Sequence, residues 1–251
     1  MKNMEKTSAV KIRFLGTSHG KPEPDRFCSS AIVEVGEKKY MIDAGAPVVA
    51  LCVRAKIDPQ DISACFVTHM HGDHANGLVE FADYINYFCP RGNAPEFFLP
   101  EQAGVDALVA WTQVVGGGIR RLPTISAYSA GEVYSDGEFS LEARPSAHLK
   151  DRPSYSFAVS TGDKRILFSG DISGEMTEFL AHATTEHWNA VVVEAAHNDL
   201  VVSAEKLCKL DTELLIINHF SPSKNGGKFE KMQALLPFAS ELAADGRVFE
   251  L

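Results

Sequence analysis

The chain has 251 residues, enough for one large domain or two small ones at the roughly 100–200 residues usual per domain. Its 45% hydrophobic and 23% charged residues exclude a disordered tail, and the scattered 19 Gly and 12 Pro exclude collagen and coiled-coil chains. With 24 Lys and Arg against 33 Asp and Glu the net charge is −9, which argues against broad non-specific nucleic-acid binding but leaves room for a local positive site.

The N-terminal Met1–Lys6 is polar with no apolar run behind it, so no secretory signal is expected. Val10–Leu15 reads as a strand, and Ser30–Val35 with Lys39–Ile42 as a hairpin turning at Gly36-Glu37. Pro47–Lys56 reads as a helix opened by proline, and Ile62–Val67 as a strand running into Thr68-His69. Asn76–Tyr87 has helical apolar spacing, Phe97–Leu99 is a short strand, and Gln102–Val115 is a helix stopped by Gly116-Gly117-Gly118. Phe139–Ala143, Ser156–Ser160 and Arg165–Phe168 read as strands, and Met176–His182 as a helix. Ala190–Val193 and Leu214–Ile217 are continuous apolar runs, as expected of strands covered on both faces. Lys228–Leu242 reads as a C-terminal helix and Arg247–Leu251 as a closing strand. No run is long enough to cross a bilayer, and no linker or repeat divides the chain, so residues 1–251 are expected to form one domain. Two strand-rich halves with helices suggest two packed sheets with helices outside. Cys28, Cys52, Cys65, Cys89 and Cys208 form no C-x-x-C, which reads as reduced thiols in a cytoplasmic protein.

The chemistry concentrates in His69-Met70-His71-Gly72-Asp73-His74, between a buried-looking strand and a helix. Alternate residues at a strand end can be aimed to one side, and so many adjacent polar groups in a core call for a compensating ion. Imidazole with carboxylate suits zinc, manganese or iron better than calcium or magnesium. His148, Asp171 and His219 each follow a strand candidate, where sites accumulate in layered α/β folds. Together these seven residues suffice for two ions. Asp43, in Ile42-Asp43-Ala44-Gly45, is placed to orient a ligand histidine. His19, His182 and His187 read as surface or structural, and Arg120-Arg121 as a solvated loop.

The ordered set His69, His71, Asp73, His74, His148, Asp171 and His219 resembles the metallo-β-lactamase superfamily. The resemblance implies a four-layer αβ/βα sandwich, two mixed sheets with outer helices, and a two-metal site at one edge. By position, His69, His71 and His148 would hold the first metal, Asp73, His74 and His219 the second, and Asp171 would bridge. Phe14-Leu15-Gly16-Thr17-Ser18, His71-Gly72-Asp73-His74-Ala75-Asn76-Gly77-Leu78 and Asn218-His219-Phe220-Ser221-Pro222 are similar to stretches of the ribonuclease Z-like phosphodiesterase branch. In Val193-Glu194-Ala195-Ala196-His197-Asn198 the glutamate resembles one that assists proton transfer with a histidine in that branch, which makes His197 its candidate partner. Ribonuclease Z commonly carries a long arm that grips transfer RNA. Here the short stretch between His148 and Asp171 reads as two ordinary strands.

The expected function is therefore a cytoplasmic, zinc-dependent binuclear phosphodiesterase, with manganese or iron as alternative metals. The expected substrate is a small anionic or single-stranded phosphodiester, attacked by hydroxide shared between the ions. Asp73, Glu194 and His197 are the candidate catalytic residues. A homodimer is an expected assembly. Alternatives are hydrolysis of a carboxylic ester, thioester or lactone, transfer RNA 3′ processing of the ribonuclease Z type, and a metal-binding scaffold without catalysis.

Overall fold

The computed structural model describes residues 9–89, 94–115 and 121–251. Met1–Lys6, Gly116-Gly117-Gly118 and Arg120, read above, lie outside the described residues.

Period-two alternation along the strands builds the layers. In β1 (Val10–Gly16), Ile12 and Phe14 face one core while Leu15 faces another. In β2 (Ser30–Val35) and β3 (Lys38–Ile42), Val33 and Tyr40 face the first core, and Ile32 and Met41 the second. The same switch separates Phe66 from Cys65 in β4 (Ile62–Phe66). With β5 (Glu96–Leu99) and β6 (Thr124–Ala127), these strands form a sheet that β14 (Val248–Glu250) closes beside β1.

The second sheet comprises β7 (Gly131–Ser135), β8 (Ser140–Pro145), β9 (Tyr155–Thr161), β10 (Lys164–Phe168), β11 (His187–Glu194), β12 (Asp211–Asn218) and β13 (Ala239–Leu242). There Ile166, Val192 and Ile216 face the inter-sheet core, while Leu167, Val191 and Leu215 face outward under helices. Both sheets are mixed: β3 to β6 and β10 to β13 run parallel, and the remaining pairs antiparallel.

Helices α1 (Val48–Arg54), α3 (Gly77–Phe88) and α4 (Gln102–Val115) cover the first sheet through Leu51, Leu78, Phe81, Ile85 and Leu108. Helices α5 (Thr177–Ala183), α6 (Leu200–Leu207) and α8 (Lys228–Gln233) cover the second through Phe179, Leu200, Leu207 and Met232. Two short helices, α2 (Gly72–Ala75) and α7 (Pro222–Asn225), lie at strand ends. The layers are thus helices, sheet, sheet and helices, the sandwich expected from the sequence.

One expectation fails. Lys228–Leu242 is not one helix: α8 stops at Gln233, and Ala239–Leu242 becomes β13, parallel to β12. Pro237 cannot donate to a helical ladder, and an open edge of β12 is there to receive the strand. Strands β6 and β7 and helix α6 add to the elements expected.

Candidate metal centre

The parallel strands bring their C-terminal ends to one seam between the sheets, where crevices form in open α/β sheets. Asp43 follows β3; Thr68 and His69 follow β4; His71 precedes α2, which carries Asp73 and His74. From the second sheet come His148 after β8, Asp171 after β10, Glu194 at the end of β11 and His219 directly after β12. Asp43 and His219 both have left-handed backbones, with φ of 59° and 52°. Non-glycine residues seldom adopt that conformation, and such strain gathers at functional sites.

The side chains converge in two sets. His69, His71, His148 and Asp171 offer ligand atoms within 4.8 Å of one another, and so do Asp73, His74 and His219. Nε2 of His148 lies 3.2 Å from Nδ1 of His71, and Asp171 Oδ2 lies 3.7 Å from Nε2 of both His69 and His148. Nε2 of His74 lies 3.2 Å from His219 Nε2, 3.4 Å from Asp73 Oδ2 and 3.3 Å from Asp171 Oδ1. One Asp171 oxygen thus faces each set.

These spacings fit metal ions. Ligands at about 2.1 Å around a tetrahedral zinc stand about 3.4 Å apart, the edge length seen here. His69 Nε2, Asp171 Oδ1 and His219 Nδ1 are buried without any hydrogen-bond partner, a costly state for groups with no cation to bind. The adjoining residues set the tautomers. His74 Nδ1 lies 2.7 Å from Asp43 Oδ2 and donates to it, which leaves Nε2 as the free lone pair. Thr68 donates its hydroxyl to Asp43 and can accept from His69 Nδ1 at 3.1 Å, freeing His69 Nε2.

Burial, with His74 nearby, pulls the His69 imidazole down to about 2, so it is neutral and able to coordinate. His148 is lowered mainly by burial. Burial opposes charge on His74, but Asp171 and Asp43 outweigh it and raise His74, so positive charge is favoured at this point. Burial likewise works against the Asp73 carboxylate, yet hydrogen bonds with His219 and His74 hold it well below its ordinary range.

The structure also brings Glu194 and His197 to this edge. His197 Nδ1 lies 3.1 Å from Glu194 Oε1 and 3.7 Å from Asp171 Oδ2. Glu194 Oε2 accepts from the backbone N–H groups of Ala196 and His197, so the carboxylate is fixed while the His197 side chain stays 40% exposed. Hydrogen bonding to Glu194 raises the His197 imidazole.

Two neighbours escaped the sequence reading. Gly20 N–H donates to Asp73 Oδ2 at 3.0 Å, and the adjacent His19, expected to be surface or structural, feels the charge of His219 and is lowered chiefly by burial. Lys224 of α7 reaches back to donate to the carbonyl of Ala196. The loop of His19 and the helix of Lys224 lie far apart in sequence, and only the folded sheets bring them together.

The layered fold and this double ligand set define a metallo-β-lactamase fold with a candidate binuclear centre. The metallo-β-lactamase fold protein YhfI from Bacillus subtilis superposes with a TM-score of 0.78 at 15% identity, covering 97% of this chain and 100% of that one. Residues 10–216 match the family described as Anti-Pycsar protein Apyc1, and the chain belongs to that family. It is 28% identical over 158 residues to the Anti-Pycsar protein Apyc1 of Saccharibacillus brassicae, covering 59% of this chain and 62% of that protein. It is 27% identical over 167 residues to a ribonuclease Z of Exiguobacterium sp., covering 66% and 54%. The chain therefore spans about half the length of the curated relatives it matches. Among the described residues, no helix is long and apolar enough to cross a membrane.

Proposed function

We propose that the chain is a single-domain, binuclear metal-dependent phosphodiesterase acting on a small phosphodiester. The observation that carries this reading is the pair of candidate ligand sets that meet at Asp171, with the buried Glu194 carboxylate holding the part-exposed His197 imidazole beside them. In this reading His69, His71 and His148 would hold one ion and Asp73, His74 and His219 the other, with the Asp171 carboxylate available to both. Zinc is the first choice, before manganese or iron. When bound, the ions supply Lewis acidity toward a phosphoryl oxygen and lower the pKa of water.

The chain's own residues do the rest. Asp43 and Thr68 fix the tautomers of His74 and His69. Gly20 N–H orients the Asp73 carboxylate. His197 is held at Nδ1 by Glu194 and stays 40% exposed, which leaves its Nε2 free of that bond. As the bond from phosphorus to the leaving oxygen breaks, Nε2 of His197 delivers a proton to that oxygen, and the proton lost by the attacking water restores the imidazolium. Glu194 stabilises the positive ring throughout.

A small substrate is favoured because β9 begins directly after the His148 loop. Ser146 N–H donates to Ser154 O across the base of that loop, which leaves no long arm for polymer docking there. The five unpaired cysteines support a cytoplasmic setting. Exposed Trp111, Val114 and Val115 on α4 support pairing of two copies, which sedimentation of the purified protein tests.

The deciding assay offers the zinc-loaded protein bis(p-nitrophenyl) phosphate, cyclic nucleotides, a lactone and thioester panel, and a 3′-extended precursor transfer RNA. Turnover of the small diesters ahead of the others is expected. Faster cleavage of the precursor, or turnover confined to the carbonyl substrates, overturns the reading.

A further inference from the structure

The charge around the ligand sets poses a problem for an anionic substrate. Four carboxylates, Asp43, Asp73, Asp171 and Glu194, stand in or directly behind the candidate ligand sets, and Asp43, Asp171 and Glu194 are almost wholly buried. They match two dications charge for charge. A proton on His197 adds positive charge only until it passes to the leaving group. The positive charge that attracts a diester and persists through the reaction therefore comes from the rim.

Two lysines bear on that rim. Lys21 follows Gly20, whose N–H donates to Asp73 Oδ2, and the charge of Lys224 acts on His197. Lys224 is on α7, just past the ligand His219, and its ammonium donates to the carbonyl of Ala196, one residue before His197. An ammonium has three donors, and this bond uses one. The other two remain for oxygens arriving at the mouth. Nearby cations on the same side are engaged elsewhere: Arg26 lies over the Phe220 ring and donates to Thr17 and Ala243, and Lys228 pairs with Asp199.

We propose that Lys224, assisted by Lys21, receives a non-bridging oxygen of the phosphodiester and so makes the site selective for anionic over neutral substrates. This rests on the phosphodiesterase reading above and adds the residue that discriminates between its substrate classes. Lys224 anchors to the carbonyl of Ala196, so its ammonium is held beside His197.

The test uses the full, zinc-loaded chain with metal content measured for every variant. Lys224→Met removes the charge at similar length, Lys224→Arg keeps it, and Lys21→Met probes the second lysine. Lys164→Met controls for net charge, because Lys164 opens β10 at the end of the sheet away from the ligands. Calorimetry with inorganic phosphate is the readout that needs no turnover. Lys224→Met is expected to weaken phosphate binding and raise KM for bis(p-nitrophenyl) phosphate by about tenfold, the scale of one charge-assisted hydrogen bond. The loss falls on KM rather than kcat, and any residual turnover of a neutral lactone does not share it. Lys224→Arg retains most of the affinity, and Lys21→Met shows a smaller loss.

If Lys224→Met binds phosphate as Lys164→Met does, the proposal is wrong. If only kcat falls, Lys224 acts by positioning the Ala196–His197 turn, and the proposal is again overturned. Failure of the function itself looks different: wild-type protein would not turn over diesters, while Lys224→Met would still lose phosphate affinity.

Discussion

Asp171 sits where the two ligand sets meet, 2% exposed, with one oxygen toward His74 and the other toward His69 and His148. Truncating it removes the side chain that, among the described residues, has one oxygen toward each set. Asp171→Ala is expected to abolish diester hydrolysis and to lower the zinc retained per chain, while circular dichroism stays that of the wild type. Wild-type turnover at saturating zinc contradicts the bridging role. The residue before it matters for a different reason. Gly170 has φ of 56°, and a Cβ built there would stand 2.6 Å from the carbonyl oxygen of Tyr155. The left-handed backbone alone costs a side chain about 1–2 kcal/mol, and the clash adds to it. Gly170→Ala should therefore lose stability in urea denaturation and zinc affinity together, because the strand end that aims Asp171 has to shift.

At the level of elements, the site is a set of strand ends, and this governs what the sequence could reveal. The candidate ligands His69 to His74, in the loop after β4 and helix α2, are legible because their spacing is local and their strand is plainly apolar. His148, Asp171 and His219 are legible because each closely follows a strand, His219 immediately and the other two within three residues. The β13 strand was misread because Leu235, Leu236, Phe238 and Leu242 suit a helix as well as a strand, although Pro237 marks the break. Helix α6 was missed although Asp199 caps it, accepting from the N–H groups of Val201 and Val202. Lys224 and His19 carry no local signal at all, since their neighbours come from distant loops. Asp43 belongs to the legible group, and its placement gives a prediction. It ends β3 and accepts from His74 Nδ1 and from Thr68, so it joins two strand ends to one ligand. Asp43→Asn can offer the amide nitrogen instead of an oxygen and loses the charge that steadies the imidazole. Zinc affinity should fall by about 10–100-fold, as for other partners behind metal ligands, measured by competition with a chelating dye. An unchanged affinity would mean that Asp43 serves only the turn.

For the whole molecule, the candidate ligands come from both sheets, so the spacing of the two sets depends on how the sheets are clamped. The clamp is largely aromatic. Tyr40 stacks on Phe139 across the seam at 3.9 Å, and Phe66 meets both Phe139 and Phe157. At the end of β3 away from the ligands the clamp is polar: Asp136, in the turn between β7 and β8, accepts from the Tyr40 hydroxyl at 2.6 Å and from Lys38 at 3.0 Å. Burial works against this carboxylate. The bonds from Tyr40 and Lys38, with the N–H groups of Phe139 and Glu138, prevail and hold it down to about 2, against an ordinary 3.8. A depressed carboxyl binds its proton less readily folded than unfolded, so its stabilisation is complete above the ordinary value and drains away as pH falls toward the folded one. The shift corresponds to about 1–2 kcal/mol when part of the charge is screened by solvent. Asp136→Asn should therefore be less stable than the wild type near neutral pH, and the gap should close as pH falls from about 4 toward about 2. The measurement is urea denaturation of the metal-free proteins across that range, which keeps loss of zinc from entering the comparison. Because the substitution lies at the opposite end of β3 from Asp43, zinc affinity at neutral pH should stay that of the wild type. A gap that persists unchanged into acid would assign the cost to the lost turn geometry at Asp136 rather than to its charge. A fall in zinc affinity would mean that movement of the far clamp is transmitted along the sheets to the ligand ends.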